Sequence, residues 1–266
     1  MTNLADVGPL TNGRPFEFRL FSRERPAVLV ASHERSGTHF LMNSVGQAYG
    51  YCPAPWIDLD FTHFQMNFYD PTMIATALER LAARPIANIA KSHHAAAFFQ
   101  PVMARLAPRW RILYNHRDPV ETMISYWRYL HQVPGLGGPF TKDVLDFVRE
   151  APAGGMLRYQ IRQWPSVLHR WAAHLRGWMQ LAADWPQVVT LVRYDALRDR
   201  WAESLAGLAE TLGEPPRAQA SLGPRQAGTR GGGKDDAAAG RLPPDGAALR
   251  QYCQTALGKL LPALGY

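Results

Sequence analysis

The sequence predicts an α/β domain of three layers, a central, mostly parallel sheet flanked by helices. Short apolar runs alternate with segments of helical periodicity, the pattern of a parallel sheet covered on both faces. Three of the four strand candidates end in polar clusters, at 32–38, 91–94 and 115–118. In such sheets ligands bind beyond the carboxyl ends of the strands. A length of 266 residues fits one domain, 1–266, with an N-terminal segment over 1–25.

Each element has its own signal. Residues 27–32 (AVLVAS) are a buried strand, and Leu41, Val45 and Ala48 put a helix directly after Thr38. Residues 86–90 (IANIA) are a second strand, followed by helical spacing of Phe98, Val102 and Leu106. Arg111 to Asn115 form a third, stopped at Asp118-Pro119, where the proline suits the first turn of a helix. Residues 133–139 read as a loop and 140–150 as a short amphipathic helix. A long helix over 163–184 carries Trp164, Trp171 and Trp178, with Trp185 next at the same seven-residue spacing, and that column reads as a helix–helix seam. Residues 188–192 are the fourth strand, then come a helix over 196–212, a Gly/Pro/Ala-rich flexible loop over 213–243, and a last helix near 246–259.

Composition narrows the function. With 47% hydrophobic and 19% charged residues the chain is globular, and its net charge of +7 suits an anionic ligand. Arg far outnumbers Lys, and a guanidinium is the better fork for phosphate or sulfate oxygens. Two distant cysteines, Cys52 and Cys253, make neither a disulfide framework nor a zinc site, which points to a reduced, cytoplasmic setting. No signal peptide and no apolar run of membrane-spanning length is expected.

The chemistry sits at the strand ends. In "SHERSGTHFL" a cation, hydroxyls and a glycine separate a strand from a helix, and backbone N–H groups of Ser36, Gly37 and Thr38 suit a phosphate. The pattern is not G-x-x-x-x-G-K-[ST], because its one glycine follows its cation, Arg35. "HRDPVETMISYW" places Arg117 at a strand end and Ser125 two helical turns on, so both can face one anion, unless Arg117 pairs with Asp118 or Glu121 instead. "KSHH" puts Lys91 and His93 on one side of a strand end, where an imidazole can act as general base, with His94 on the other face.

Taken together, "RSGTHFL", "KSH" and "RDPVETMISYW" resemble the motifs of the sulfotransferases that use 3′-phosphoadenosine 5′-phosphosulfate (PAPS), with "VRYDAL" and, faintly, "TRGGGKDD" further along. The resemblance implies the P-loop NTPase-like sulfotransferase fold and sulfuryl transfer from PAPS to a hydroxyl, or less readily an amine, of a small-molecule, lipid-like or carbohydrate acceptor, with no metal and no nucleic-acid partner. It implies that Arg35, Ser36, Gly37 and Thr38 hold the 5′-phosphosulfate, and that Arg117 and Ser125 hold the 3′-phosphate. Phe40, beside His39, takes the place of an adenine-stacking tryptophan, and Tyr194 contacts the nucleotide. Arg230 and Gly231 close over the 3′-phosphate, while His93 is the general base with Lys91 and Arg35 as its catalytic cations. A homodimer stays open. The acceptor is expected beyond 49–70 and 129–165. A P-loop small-molecule kinase and a basic, non-enzymatic nucleotide- or nucleic-acid-binding protein are the alternatives.

Overall fold

The computed structural model describes residues 25–58, 70–83, 88–217, 246–263 and 265–266. Five parallel strands lie in the order β2-β3-β1-β4-β5. They are β1 (Ala27–Ser32), β2 (Cys52–Asp58), β3 (Asn88–Ser92), β4 (Trp110–His116) and β5 (Val189–Arg193). The apolar run of β1 is buried at all six positions, as a strand covered on both faces must be. Register aligns the strand ends: Ala31 pairs with Ser92, Ser32 with Asn115, and His116 with Arg193. The connections after β1 and β4 leave in opposite directions along the sheet, so a crevice opens between their carboxyl ends.

Helices α1 (Thr38–Tyr49), α2 (Pro71–Ala82), α3 (Met103–Leu106), α4 (Pro119–Gln132), α5 (Val144–Arg149), α6 (Val167–Asp184), α7 (Tyr194–Asp199), α8 (Trp201–Ala206), α9 (Ala209–Leu212), α10 (Gly246–Leu257) and α11 (Leu260–Ala263) follow in chain order. Local chemistry sets their starts. The carboxylate of Asp70 accepts from the Thr72 N–H, Asp118 caps α4 at the Glu121 N–H, and the Ser166 hydroxyl caps α6 at the His169 N–H. Pro71 and Pro119 occupy the first helical position, where a missing N–H costs nothing.

Several expectations change. The second expected strand slides from 86–90 to Asn88–Ser92, which draws Lys91 into β3. Residues 52–58, expected to wall an acceptor, form β2 instead, and 59–69 lie outside the described residues. The segment after β3 is mainly 3-10 turns (Ala96–Phe98 and Gln100–Val102), separated at Phe99. The helix expected over 196–212 is three short ones, α7 to α9. Trp178 packs helix onto sheet rather than onto another helix, its ring stacked on Tyr114 of β4 at 5.2 Å and 14°. Trp164 and Trp185 fall outside α6. Cys253 is a buried free thiol, pushed up to about 12 by burial.

Candidate active site

The turn from β1 to α1 is built from two left-handed residues. Arg35 has φ 65°, rare for a residue with a side chain, and Gly37 has φ 89°. Glycine is needed at 37 twice over, because a Cβ there would also lie 2.3 Å from the Tyr194 ring. Gly37 gives α1 no side-chain cap, and its first turn carries no acid. Beneath this N-terminus the Ser36 hydroxyl is 1% exposed and has no hydrogen-bond partner among the described residues. Asn115 of β4 donates from Nδ2 to the Ser36 carbonyl at 2.8 Å, yet its own Oδ1 is likewise buried and unmatched. Buried polar groups are nearly always paired, so two orphans at one uncapped helix start mark a place for an anionic or polar ligand.

Below the turn lies a buried charged layer that motif spacing did not reveal. Arg170 of α6 uses all five of its N–H groups. Nε donates to Gln160 Oε1 (3.0 Å), and Nη1 donates to His33 Nε2 (2.7 Å) and Glu34 Oε2 (2.9 Å). Nη2 donates to Glu34 Oε1 (2.7 Å) and to the Met156 carbonyl (3.2 Å). Tyr126 adds an O–H to Glu34 Oε1 at 2.9 Å. Burial alone would raise the Glu34 carboxyl, but the Arg170 charge and hydrogen bonds outweigh it and hold the group well below the usual carboxylate range. His33 accepts at Nε2, so its proton sits on Nδ1 and is donated to the Glu34 carbonyl at 2.9 Å. Burial lowers this ring to about 4, so the 3.6 Å approach of His33 to the Glu34 carboxylate is not an ion pair at neutral pH.

His93 stands just past β3, half-buried, with Nδ1 3.0 Å from the Ser32 carbonyl. A carbonyl only accepts, so the neutral ring carries its proton on Nδ1 and its lone pair on Nε2. The backbone under it is pinned from α6: His174 Nε2 donates to the His93 carbonyl at 3.1 Å, and its Nδ1 accepts from the Tyr114 hydroxyl at 2.9 Å. Burial keeps His174 neutral. His94 is 2% exposed, bonded to Ser92 Oγ at 2.8 Å and set against Phe98 and, like His93, against Tyr159. It is a core residue. Lys91 is buried in β3 opposite Val30.

The structure also joins Arg35 to Ser125, whose Oγ accepts from Arg35 Nε at 3.1 Å, with the guanidinium 4.6 Å over the Tyr129 ring. Arg117 lies 4.4 Å over Tyr194, and Tyr194 meets Phe40 edge-on at 5.7 Å. Arg117 Nε donates to Glu121 Oε2 at 2.9 Å, so the pairing left open by the sequence is made. Thr38 Oγ1 is 2.6 Å from Ser32 Oγ, tying the start of α1 to the end of β1. Arg230 and Gly231 lie outside the described residues. A cavity of about 530 Å³ opens behind His93, between residues 95–97, 159–164 and α6. Residues 159–162 and 164 of the region expected to hold the acceptor line it. No cluster of metal-ligating side chains occurs among the described residues, and no helix there is long and apolar enough to cross a membrane.

The model of the sulfotransferase domain family matches residues 25–222. No curated protein matches the chain in sequence. Among solved structures, a sulfotransferase from Alicyclobacillus acidocaldarius aligns with a TM-score of 0.56 and 14% identity over 91% of this chain and 96% of that one. The mouse sulfotransferase SULT7A1 complexed with PAP aligns with a TM-score of 0.49 and 18% identity over 82% of this chain, which spans 66% of the mouse protein. A sulfotransferase domain from the Synechococcus PCC 7002 olefin synthase gives 0.46 and 15%, over 79% of this chain and 81% of that one. The likeness to the Alicyclobacillus protein speaks for the fold. The family model covers most of the sequence, including the turn after β1 and the ends of β3 and β4, and the chain belongs to the sulfotransferase domain family.

Proposed function

We propose that this chain is an enzyme that transfers a sulfuryl group from PAPS to the hydroxyl of a small-molecule acceptor, in the cytoplasm and as one domain over 1–266. The observation that carries the reading is the orphaned Ser36 hydroxyl beneath an uncapped helix start. The residues present fit such a donor, since cations and unmatched polar atoms converge there and Gly37 lets the backbone approach closely. When bound, PAPS supplies a sulfuryl group on a good leaving group.

The chain's residues then have distinct tasks. Backbone N–H groups of Ser36, Gly37 and Thr38, with the hydroxyls of Ser36 and Thr38, hold the 5′ end, and Ser125 with Arg117 holds the 3′-phosphate, completed by Arg230 and Gly231. The bond between Arg35 and Ser125 supports their serving adjacent anionic oxygens. Phe40, His39 and Tyr194 flank the base. Lys91 and Arg35 stabilise the negative charge that gathers on the leaving oxygen. His93 Nε2 takes the proton of the acceptor hydroxyl, a role supported by its fixed tautomer.

Calorimetric titration with PAP, with AMP alongside, tests the donor. Binding that depends on the 3′-phosphate is expected, and equal binding of AMP, or no binding of PAP, refutes it. His93→Ala should cut turnover by ~10²–10⁴-fold and leave PAP binding in place. Unchanged turnover would remove His93 as base.

A further inference from the structure

Beyond the donor, the cavity behind His93 says what kind of acceptor fits. Its floor is small and flat, with Ala96 facing Gly177 of α6, where an added Cβ would come within 3.4 Å of the alanine methyl. One wall is aromatic, from Tyr159 and Trp164. At the lip Ile161 is 62% exposed, the most exposed large apolar side chain among the described residues. Such a slot suits a planar, apolar body.

Its charge is one-sided. No carboxylate lines it, while three guanidiniums do, those of Arg162, Arg170 and Arg176. Arg170 has all its N–H groups committed to Glu34, His33, Gln160 and Met156. Arg162 lies 4.3 Å over the Trp164 ring, and neither it nor the exposed Arg176 pairs with an acid among the described residues. At the inner end Tyr159 meets His93 edge-on at 5.7 Å, and His174 donates to the His93 carbonyl. The slot is therefore basic at its mouth, and its inner wall, Tyr159 and His174, lies against His93.

We infer that the acceptor is a flat, apolar hydroxy compound carrying an anionic group at the end away from its hydroxyl, the anion held at the mouth by Arg162 and Arg176. This rests on the sulfotransferase reading, which supplies the reason for a hydroxyl at His93. Two exposed guanidiniums with no acid partner among the described residues favour a carboxylate or phosphate over a neutral polar group.

The probes are p-coumarate and its methyl ester, which share ring and phenol and differ in charge. Each is titrated into the protein with and without PAP at low ionic strength. The expected result is about tenfold tighter binding of p-coumarate, with the preference shrinking as salt is raised. In the double variant Arg162→Gln, Arg176→Gln the ratio of the two affinities should fall towards one. Both positions are at the surface, and circular dichroism with a PAP titration reports whether fold and donor site persist. Equal binding of acid and ester, binding of neither, or a preference that survives in the double variant would each overturn the inference. Failure of PAP itself to bind would instead overturn the donor reading beneath it, so the two failures are distinct.

Discussion

The turns after β1 and after β4 occupy equivalent places, at the carboxyl ends of neighbouring strands and each leading into a helix, yet they are finished in opposite ways. At α4 the helix satisfies itself: Asp118 caps the Glu121 N–H, Glu121 adds an acid to the first turn, and its carboxylate takes up Arg117. At α1 there is no cap and no acid, and a buried hydroxyl is left unmatched. The acid of that turn, Glu34, faces down into the protein, where Arg170 answers it. One turn is neutralised from above and the other from below. Only the second leaves its helix dipole for a ligand.

The contrast can be attacked from its strongest side first. Glu34→Ala leaves Arg170 buried without a counter-charge and should cost ~3–5 kcal/mol, read as the shift in urea unfolding, whereas the same change at half-exposed Glu121 should cost under ~1 kcal/mol. A similar loss at both sites would erase the distinction.

Acid should act on both turns alike. His33, after β1, and His116, ending β4, are each lowered to about 4, by burial and, for His116, also by Arg193. An unfolded chain binds these protons near 6.5 and the folded one only near 4, so unfolding takes up protons in between. Stability is therefore complete above pH 6.5 and falls as pH drops towards 4, by on the order of 3 kcal/mol for each ring. Urea midpoints across that window check it, and His116→Gln should flatten the curve in part. A flat profile for the unaltered protein would show that the rings are not buried neutral.

Next comes a crossed pair. Ser36→Ala should weaken PAP by about tenfold or more, since a hydroxyl bonded to an anion contributes ~1.5–3 kcal/mol, and should leave stability level or slightly raised because an orphan is removed. Asp118→Ala should do the reverse, costing ~1 kcal/mol of stability through the lost cap with little change in PAP affinity. The smallest effect is expected of Glu121→Gln, which releases Arg117 from its carboxylate and should tighten PAP by a few-fold, a gain that fades in salt. Weaker binding instead would mean that Glu121 orients Arg117 for its ligand.

Much of this was legible in the sequence because it is local. The apolar run of β1, the Asp118-Pro119 helix start and the grouping of Lys91, Arg35 and Arg117 at strand ends all follow from neighbours within a few residues. Strand β2 escaped because Pro53 and Pro55 argue against a strand, and it is tolerated because β2 lies at the sheet edge, where missing ladder donors matter little. The start of helix α2 is legible in Asp70-Pro71, a side-chain cap followed by proline at the first helical position. The Glu34–Arg170 pair could not be read locally at all, since 136 residues separate its members and only the fold brings them together. The surroundings of His94 were not legible because alternation gives the face but not what covers it, and Phe98 and Tyr159 pack edge-on against its ring while Trp178 donates to its carbonyl at 3.2 Å.

Arg170 also sets limits on how this protein can diverge. One guanidinium grips the turn after β1 at Glu34 and, on the other side, Gln160 in the cavity wall and the Met156 carbonyl before it, so a lineage that reshapes the cavity inherits a seam it must keep. Exchange of the wall between 154 and 160 disturbs the donor turn at the same stroke. Innovation is cheapest just beyond the seam, at Ile161, Arg162 and Trp164, whose side chains line the cavity and leave the guanidinium alone. Paralogues with altered acceptors are expected to differ there first, and a library confined to those three positions is where a new acceptor should be sought.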